Sequence, residues 1–408
     1  MHVLLIHQAF VGPNEAGGTR HFEFAKRLLK KNDVMSIVAS SISYHSGKKA
    51  SENRSLVYDE VLEGIKVTRT YTLDAVHRSF GWRILAFLSF SVSSVVGAMR
   101  TKDVDVVMGT SPPIFQAGSA LLVAKLKRRP FLLEIRDLWP DFAVEMGVLK
   151  NKPVIYAARW FERFLYRNAA HIIVNSPAYY DILVAEKGVP TDKISLIANG
   201  VDPKMFKPKA RGLKFRHEFG VLPGDFVIVY AGALGMANDI STILAAARKV
   251  SDNKKIRFLI VGDGKDRKKL EDESSMLGLS NLVFTGARAK PEMCEVLAAA
   301  DACVVCLQDI PLFRTTYPNK VFDYMAAARP ILLGIEGVIQ EVVMKADAGI
   351  CFAPGNSDAL AEGIRTLAAD RASAKKMGTR GRAHVVEHFN RDVQSEHFRD
   401  LAYEMVKP

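Results

Sequence analysis

Short runs of consecutive apolar residues alternate with helix-patterned segments from one end of this chain to the other. "HVLLIHQAF" leads into "RHFEFAKRLLKKN", then "VMSIVASS", and "VDVVMGTS", "FLLEIRD" and "HIIVNSP" follow in turn. After about residue 210 the pattern restarts with "DFVIVYAGAL", "IRFLIVGDG", "LVFTGA", "DACVVCLQ" and "PILLGI". Strands apolar on both faces belong in parallel sheets covered on both sides by helices. The 408 residues exceed one ordinary core and suit two domains. The expected fold class is therefore α/β, with two doubly wound, Rossmann-like domains over residues 1–205 and 206–390. Their joint is expected in "NGVDPKMFKPKARG", residues 199–212. Ligands of doubly wound sheets bind outside the carboxyl ends of the strands, so chemistry is expected in a cleft between the domains.

Composition narrows the function classes. Charged residues make up 25% and hydrophobic ones 49%, which leaves no disordered or low-complexity class to consider. Four cysteines form no disulfide framework. Cys303 and Cys306 lie three apart in an apolar run, so a strand sends them to opposite faces, and no nearby His completes a metal set. No metal and no cofactor are expected. The opening "MHVLLIHQAF" carries no signal-peptide pattern, which leads to the expectation of a cytoplasmic protein. A net charge of +12 favours an anionic partner such as a nucleotide or an anionic membrane face. Nucleic acid is set aside, because no basic motif with interleaved aromatics occurs.

Several loops could carry chemistry. Gly17 and Gly18 stand before a helix that Thr19 could cap, where backbone N–H groups can meet an anion. Gly262 and Gly264 follow a strong strand, although tight turns use the same residues. Asp103 and Asp105 precede their strand, at the end opposite the ligand crevice, and read as solvated charges. In "LLEIRDLWPDF", Arg136, Asp137, Trp139, Pro140 and Asp141 cluster at a strand's carboxyl end, a set suited to a sugar or a charged acceptor. The run Ile84 to Met99 lacks charges and is flanked by Arg78, Arg83, Arg100 and Lys102, with "KLKRRP" further on. At 16 residues it is short of the ~20 that span a bilayer, and reads as a core helix or an interfacial one.

"RTTYPNKVFDYMAAARP", residues 314–330, combines the most signals. Pro318 fits a first helical turn, Asn319 or Thr316 could cap it, and Val321, Met325 and Ala328 could pack inward. Lys320 and Asp323 share one face, about 4.5 Å apart along the axis. The lysine with the free N–H groups suits a phosphate, and a carboxylate one turn deeper can accept both hydrogens of a ribose diol. An intrahelical Lys–Asp pair is the plainer reading.

Taken together, these motifs resemble the retaining glycosyltransferases of family 4, which have the GT-B fold. "AGGTRHFEFAKRL" looks like that family's glycine loop, and the passage from "ERFLYRNAAHIIVNSP" to "NGVDPKMFKP" is similar to its interdomain segment. "IVGDGKDRKKLE" and "LVFTGARAKPEMCEVLAAADACVV" are similar to second-domain motifs. "TSPP", "EIRDLWPD" and "PNKVFDYMAAARP" look like a subgroup that builds bacterial surface polysaccharides. The family has two glutamates separated by seven residues; here the second position is Asp323 and the first Thr315. Its diphosphate-binding Arg and Lys align with Ala233 and Asn238. Lys320, Arg314 and helix amides are expected to take over that charge.

The resemblance implies transfer of a sugar from a nucleoside diphosphate, with UDP favoured, to an acceptor hydroxyl with retained configuration. It implies a catalytic set of Lys320, Arg314, Arg136 and Asp137. On the donor side it implies Gly17, Gly18 and Gly262, Ala287 and Arg288 at the base, Thr315 to Tyr317 near the sugar, and Asn319, Lys320 and Asp323. On the acceptor side it implies Arg136, Asp137, Trp139 and His21. A final helix of about 391–408 is expected to pack back on the first domain. A lipid-linked acceptor and a place on the inner face of the cell membrane are further expectations. A sugar-nucleotide 2-epimerase, for which His7, His21 or Asp137 could serve as acid or base, and a catalytically weak subunit of an assembly complex are the alternatives.

Overall fold

The computed structural model describes residues 1–43, 47, 53, 55–75 and 80–407. Arg78, one of the basic flanks above, lies outside the described residues. The chain divides into two compact units. Unit 1 is Met1–Pro13, Gly17–Ala198 and Asp392–Pro408, and unit 2 is Asn14–Ala16 and Asn199–Arg391.

Unit 1 holds strands β1 His2–Ile6, β2 Val34–Ser40, β3 Val57–Leu62, β4 Ile65–Thr70, β5 Val106–Ser111, β6 Phe131–Ile135, β7 His171–Val174 and β8 Ile194–Leu196. Their order is β3-β4-β2-β1-β5-β6-β7-β8. All pairings in it are parallel except β3 with β4. Its helices are α1 Arg20–Lys30, α2 Phe80–Met99, α3 Ile114–Lys127, α4 Asp141–Glu145, α5 Lys152–Asn168 and α6 Pro177–Ala185. The β3–β4 hairpin turns on Glu63 and Gly64, both at positive φ (46° and 87°), the conformation that tight hairpins demand. Helix α2 starts four residues before the charge-free run and includes Arg83.

Unit 2 holds β9 Phe226–Ala231, β10 Ile256–Val261, β11 Leu282–Gly286, β12 Ala302–Cys306, β13 Ile331–Gly334 and β14 Gly349–Cys351, ordered β11-β10-β9-β12-β13-β14 and parallel throughout. Around them lie α7 Leu213–Glu218, α8 Ile240–Lys249, α9 Arg267–Met276, α10 Met293–Ala299, α11 Asn319–Ala326, α12 Val338–Lys345, α13 Ser357–Ala369 and α14 Arg371–His388. Cys303 and Cys306 are free thiols sealed in β12, their pKa values pushed up by burial. The last helix, α15 Arg391–Glu404, returns to unit 1, where Phe398, Leu401 and Ala402 join the core and Phe398 stacks on Phe24 at 5.2 Å.

Strand order reverses at β1/β5 in unit 1 and at β9/β12 in unit 2. Crevices for ligands open at such switch points. Two glycines set the backbone beside the second. At Gly262, with φ 151°, a Cβ would lie 1.8 Å from the Gly232 carbonyl oxygen, and at Gly264 it would lie 2.2 Å from that of Leu234. The two loops after β9 and β10 therefore touch backbone to backbone, a reason for both glycines that needs no ligand. Gly262→Ala should cost about 2–4 kcal/mol by forcing those loops apart, read as a lowered midpoint in urea unfolding; an unchanged midpoint would show that the contact is not tight.

Candidate functional site

Helix α11 begins beside the β9/β12 switch point, and Pro318 occupies its N-cap position without a side-chain cap. Asn319 and Thr316 thus do not cap it as expected: Asn319 is already helical, and the Thr316 hydroxyl donates to the Phe313 carbonyl at 2.9 Å. Val321 and Met325 are fully buried and anchor the helix, whereas Ala328 falls beyond its end at φ 56°.

From the first turn of α11 the half-buried Lys320 reaches back to β9. Its Nζ donates to Tyr230 Oη at 3.0 Å and to Asn238 Oδ1 at 2.8 Å, and lies 4.4 Å from the centre of the Tyr230 ring. Tyr230 passes its own proton to the Ala233 carbonyl at 2.8 Å, so it can accept from the lysine. Among the described residues no carboxylate lies within ion-pair distance of this ammonium. Burial drops its pKa to about 7, and Cys306 only partly opposes the shift. Gly232 makes the approach possible, since a Cβ there would come within 2.8 Å of Nζ. Asn238 is the position at which the resemblance leads one to expect a cation. Here a charge arrives at that place from another element.

Asp323, one turn on, is gripped by Lys290, whose Nζ lies 2.9 and 2.7 Å from its two carboxylate oxygens. Lys290 was not singled out in the sequence: although it falls within "LVFTGARAKPEMCEVLAAADACVV", it sits 33 residues away in a turn before α10, and nothing local ties it to Asp323. Arg314 is half-exposed and faces Glu336 at 2.9 Å and Asp309 at 3.5 Å, so its charge is already matched. Arg288 is held by Glu218 and, at 3.4 Å, by Glu292, with its guanidinium over Phe215 and Phe219; Ala287 beside it is exposed. The Thr315 hydroxyl donates to the Leu312 carbonyl at 2.6 Å, and the Tyr317 carbonyl accepts from Asn199 at 2.8 Å. These contacts fix the loop leading into α11.

In unit 1 the β1/β5 switch point is lined by His7, Gln8 and Thr110. Arg136, at the end of β6, donates to Thr110 Oγ1 at 2.9 Å and to His7 Nε2 at 3.1 Å. Burial and the Arg136 charge hold His7 well below the usual histidine range, so it is a neutral acceptor. Asp137 is exposed at the end of β6. Desolvation pushes its carboxyl up to about 6 against the pull of Arg136. Trp139 sits edge-on to Phe115 with ring centres 6.2 Å apart, and Asp141 is engaged by Lys187 at 2.6 Å and Arg159 at 3.0 Å.

His21 departs from its expected acceptor-side place. It is buried and bonds Glu134 Oε2 at 2.6 Å, while Arg20 donates to Oε1 at 2.9 Å. Burial opposes the charge on Glu134, but His21 and Arg20 overcome it and hold the carboxyl well below its usual range. This cluster ties α1 to β6. Gly17 (φ 137°) and Gly18 precede α1 as expected, and Thr19 occupies the N-cap position but directs its hydroxyl to Glu23 at 2.6 Å instead of capping.

Comparison with known proteins bears on both units. Residues 37–200 match the family model described as glycosyl transferase 4-like domain, and residues 225–370 match glycosyl transferases group 1. The Escherichia coli (strain K12) glycosyl transferase WcaI, whose name places it in colanic acid biosynthesis, is 25% identical over 69% of this chain and 71% of its own. A GDP-mannose-dependent alpha-mannosyltransferase of Mycobacterium tuberculosis is 27% identical over 63% of this chain and 62% of its own. Among solved structures, Anabaena HepE in complex with UDP-glucose superposes with a TM-score of 0.75 at 18% identity, over 99% of this chain and 100% of that one.

The lysine at the second switch point sets a pH signature. With a folded pKa of about 7 against 10.5 for an ordinary lysine, the unfolded chain binds the extra proton between those values. Wild-type stability relative to Lys320→Met should therefore stay level below pH 7 and rise from pH 7 to 10.5, as read by urea unfolding of both chains across that range. A difference independent of pH would mean that Lys320 titrates normally.

Proposed function

The chain belongs to the family-4-like glycosyltransferases of GT-B fold, and from that premise we propose that it moves a sugar from a UDP-sugar to an acceptor hydroxyl, with retained configuration, in polysaccharide or glycoconjugate assembly. The observation that carries the donor side of this reading is the Lys320 ammonium, poised at a switch point with two neutral acceptors and no carboxylate partner among the described residues. A half-buried cation so placed is matched by an anionic ligand. Two of its three N–H groups are engaged, which leaves one for a phosphate oxygen.

As the glycosidic bond breaks, the leaving diphosphate gains negative charge. A preset ammonium and the uncapped first amides of α11 stabilise that charge more in the transition state than in the ground state. A leaving phosphate oxygen on the same face of the sugar takes the acceptor's proton, which gives retention without a separate carboxylate base. Asp323 accepts the ribose hydroxyls while Lys290 holds its carboxylate aimed. Arg314 serves less directly, since Glu336 and Asp309 hold it. Arg136, Asp137 and Trp139 take the acceptor side; its linkage to a lipid belongs to the same proposal. The UDP preference draws on the UDP-glucose held by HepE, and the polysaccharide assignment on the name of WcaI.

Calorimetric titration with UDP, GDP, ADP and TDP tests the donor reading, because one diphosphate should bind clearly more tightly than the rest. Loss of a charge-assisted hydrogen bond is worth about 1.5–3 kcal/mol, so Lys320→Ala should weaken that diphosphate about 10- to 100-fold. The matching nucleoside, without phosphates, should bind both chains alike. Equal diphosphate affinity in wild type and variant would overturn the role of Lys320. Consumption of the sugar nucleotide without any acceptor would favour the 2-epimerase instead.

A further inference from the structure

Helix α2 leaves a continuous apolar stripe uncovered by the rest of unit 1. Trp82, Leu85, Leu88, Val92, Val96 and Met99 recur at helical spacing on one side of it, and Val92 and Val96 are 71% and 55% exposed. The opposite side is locked to the sheet. Ala86, Phe90 and Ala98 are fully buried, and a Cβ on Gly97 would lie 2.5 Å from the Thr70 methyl. The helix is long and apolar enough to cross a bilayer, but this packing holds it flat on unit 1, with the stripe running about 26 Å along the surface.

Two neighbouring helices extend the face. Helix α3 adds exposed Leu122 and Leu126, and α5 adds Tyr156 and Trp160 at 70% and 57% exposure. The helices are in contact: a Cβ on Gly118 of α3 would meet the Phe161 ring of α5 at 2.6 Å, and Lys125 lies over Phe164, which stacks on Trp160. Lys127 donates to the Thr101 carbonyl at 2.6 Å, which brings the ends of α2 and α3 together. Exposed Lys102, Arg128 and Arg129 therefore rim one end of the face, and neither α2 nor α3 contains an acidic residue.

We propose that this α2–α3–α5 face docks in the plane of an anionic lipid leaflet, with the apolar stripe among the acyl chains and the basic rim on the headgroups. Apolar area flanked by cations is the pattern of interfacial helices. A second copy of the chain would instead set two basic rims on one face without acids on α2 or α3 to match them. The inference stands apart from the transfer reading, because its surface and its test involve no sugar nucleotide.

Co-sedimentation of the full chain with vesicles decides it, using phosphatidylcholine alone and phosphatidylcholine with about one third phosphatidylglycerol, at low and high salt. Wild type should bind the anionic vesicles and lose affinity with salt. The double change Val92→Glu and Val96→Glu, at positions too exposed to disturb the fold, should weaken binding at least about ten-fold. Changing Lys102, Arg128 and Arg129 to Gln should weaken it by roughly five-fold per charge on anionic vesicles only. Met276→Glu, an exposed site on α9, should leave binding unchanged. Failure of wild type to bind anionic vesicles, equal binding by the glutamate variant, or a vesicle-indifferent dimer that the glutamates dissolve would each overturn the proposal.

Discussion

A parallel sheet buried on both faces has no room for polar groups along its strands, and this constraint arranges everything else in the molecule. In unit 1 all of β5 and β6 is buried; in unit 2 so are all of β9 and β12. Side chains with chemistry can emerge into solvent only where strands end. Arg136 and Asp137 stand just past β6, and Gly232 just past β9. Polar groups inside the strands need partners: Glu134 in β6 is fully buried and is tolerated because Arg20 and His21 saturate it. The ends of β9 and β12 then receive α11, whose buried face fixes the direction in which Lys320 can extend.

Two lysines from different elements do opposite things at this helix. Lys290 is paired with Asp323 on both oxygens, so that carboxylate carries no unbalanced charge into the site. Lys320 is partnered only by neutral oxygens, which solvate an ammonium without cancelling it. Among the described residues Lys320 thus has no carboxylate partner, whereas Arg288 and Arg314 each have one. In the proposed reading, selectivity for an anion at one point would follow from that contrast more than from the net charge of the chain.

The alternation of strands and helices was legible because parallel strands write themselves as unbroken apolar runs. The β3–β4 hairpin was missed for the converse reason: "VYDEVLEGIKVTRT" mixes charges with apolar residues, as an edge exposed on one side must. Lys320 and Asp323 could be picked out because helical periodicity sets them on one face. Their true partners could not, since Tyr230, Asn238 and Lys290 lie 33 to 90 residues away in the chain and only the sheet order brings them near. His21 hid its partner for a similar reason. Its neighbours in sequence suggest a loop facing ligand, whereas Glu134, 113 residues on, draws it into the core.

The return of α15 to unit 1 separates the order of synthesis from the order of completion. Phe398 and Leu401 fill a hollow between α1 and the first strands, and Asp33 is bonded by Arg399 and Tyr403. Residues 1–198 therefore leave the ribosome with an unfinished interior, and they keep it until the final helix has been made. Unit 2 is made almost wholly in one stretch, so it can close first although it is translated second. In the cell, the half of the chain that is made first is the half that waits, with apolar surface for chaperones to shield during that interval.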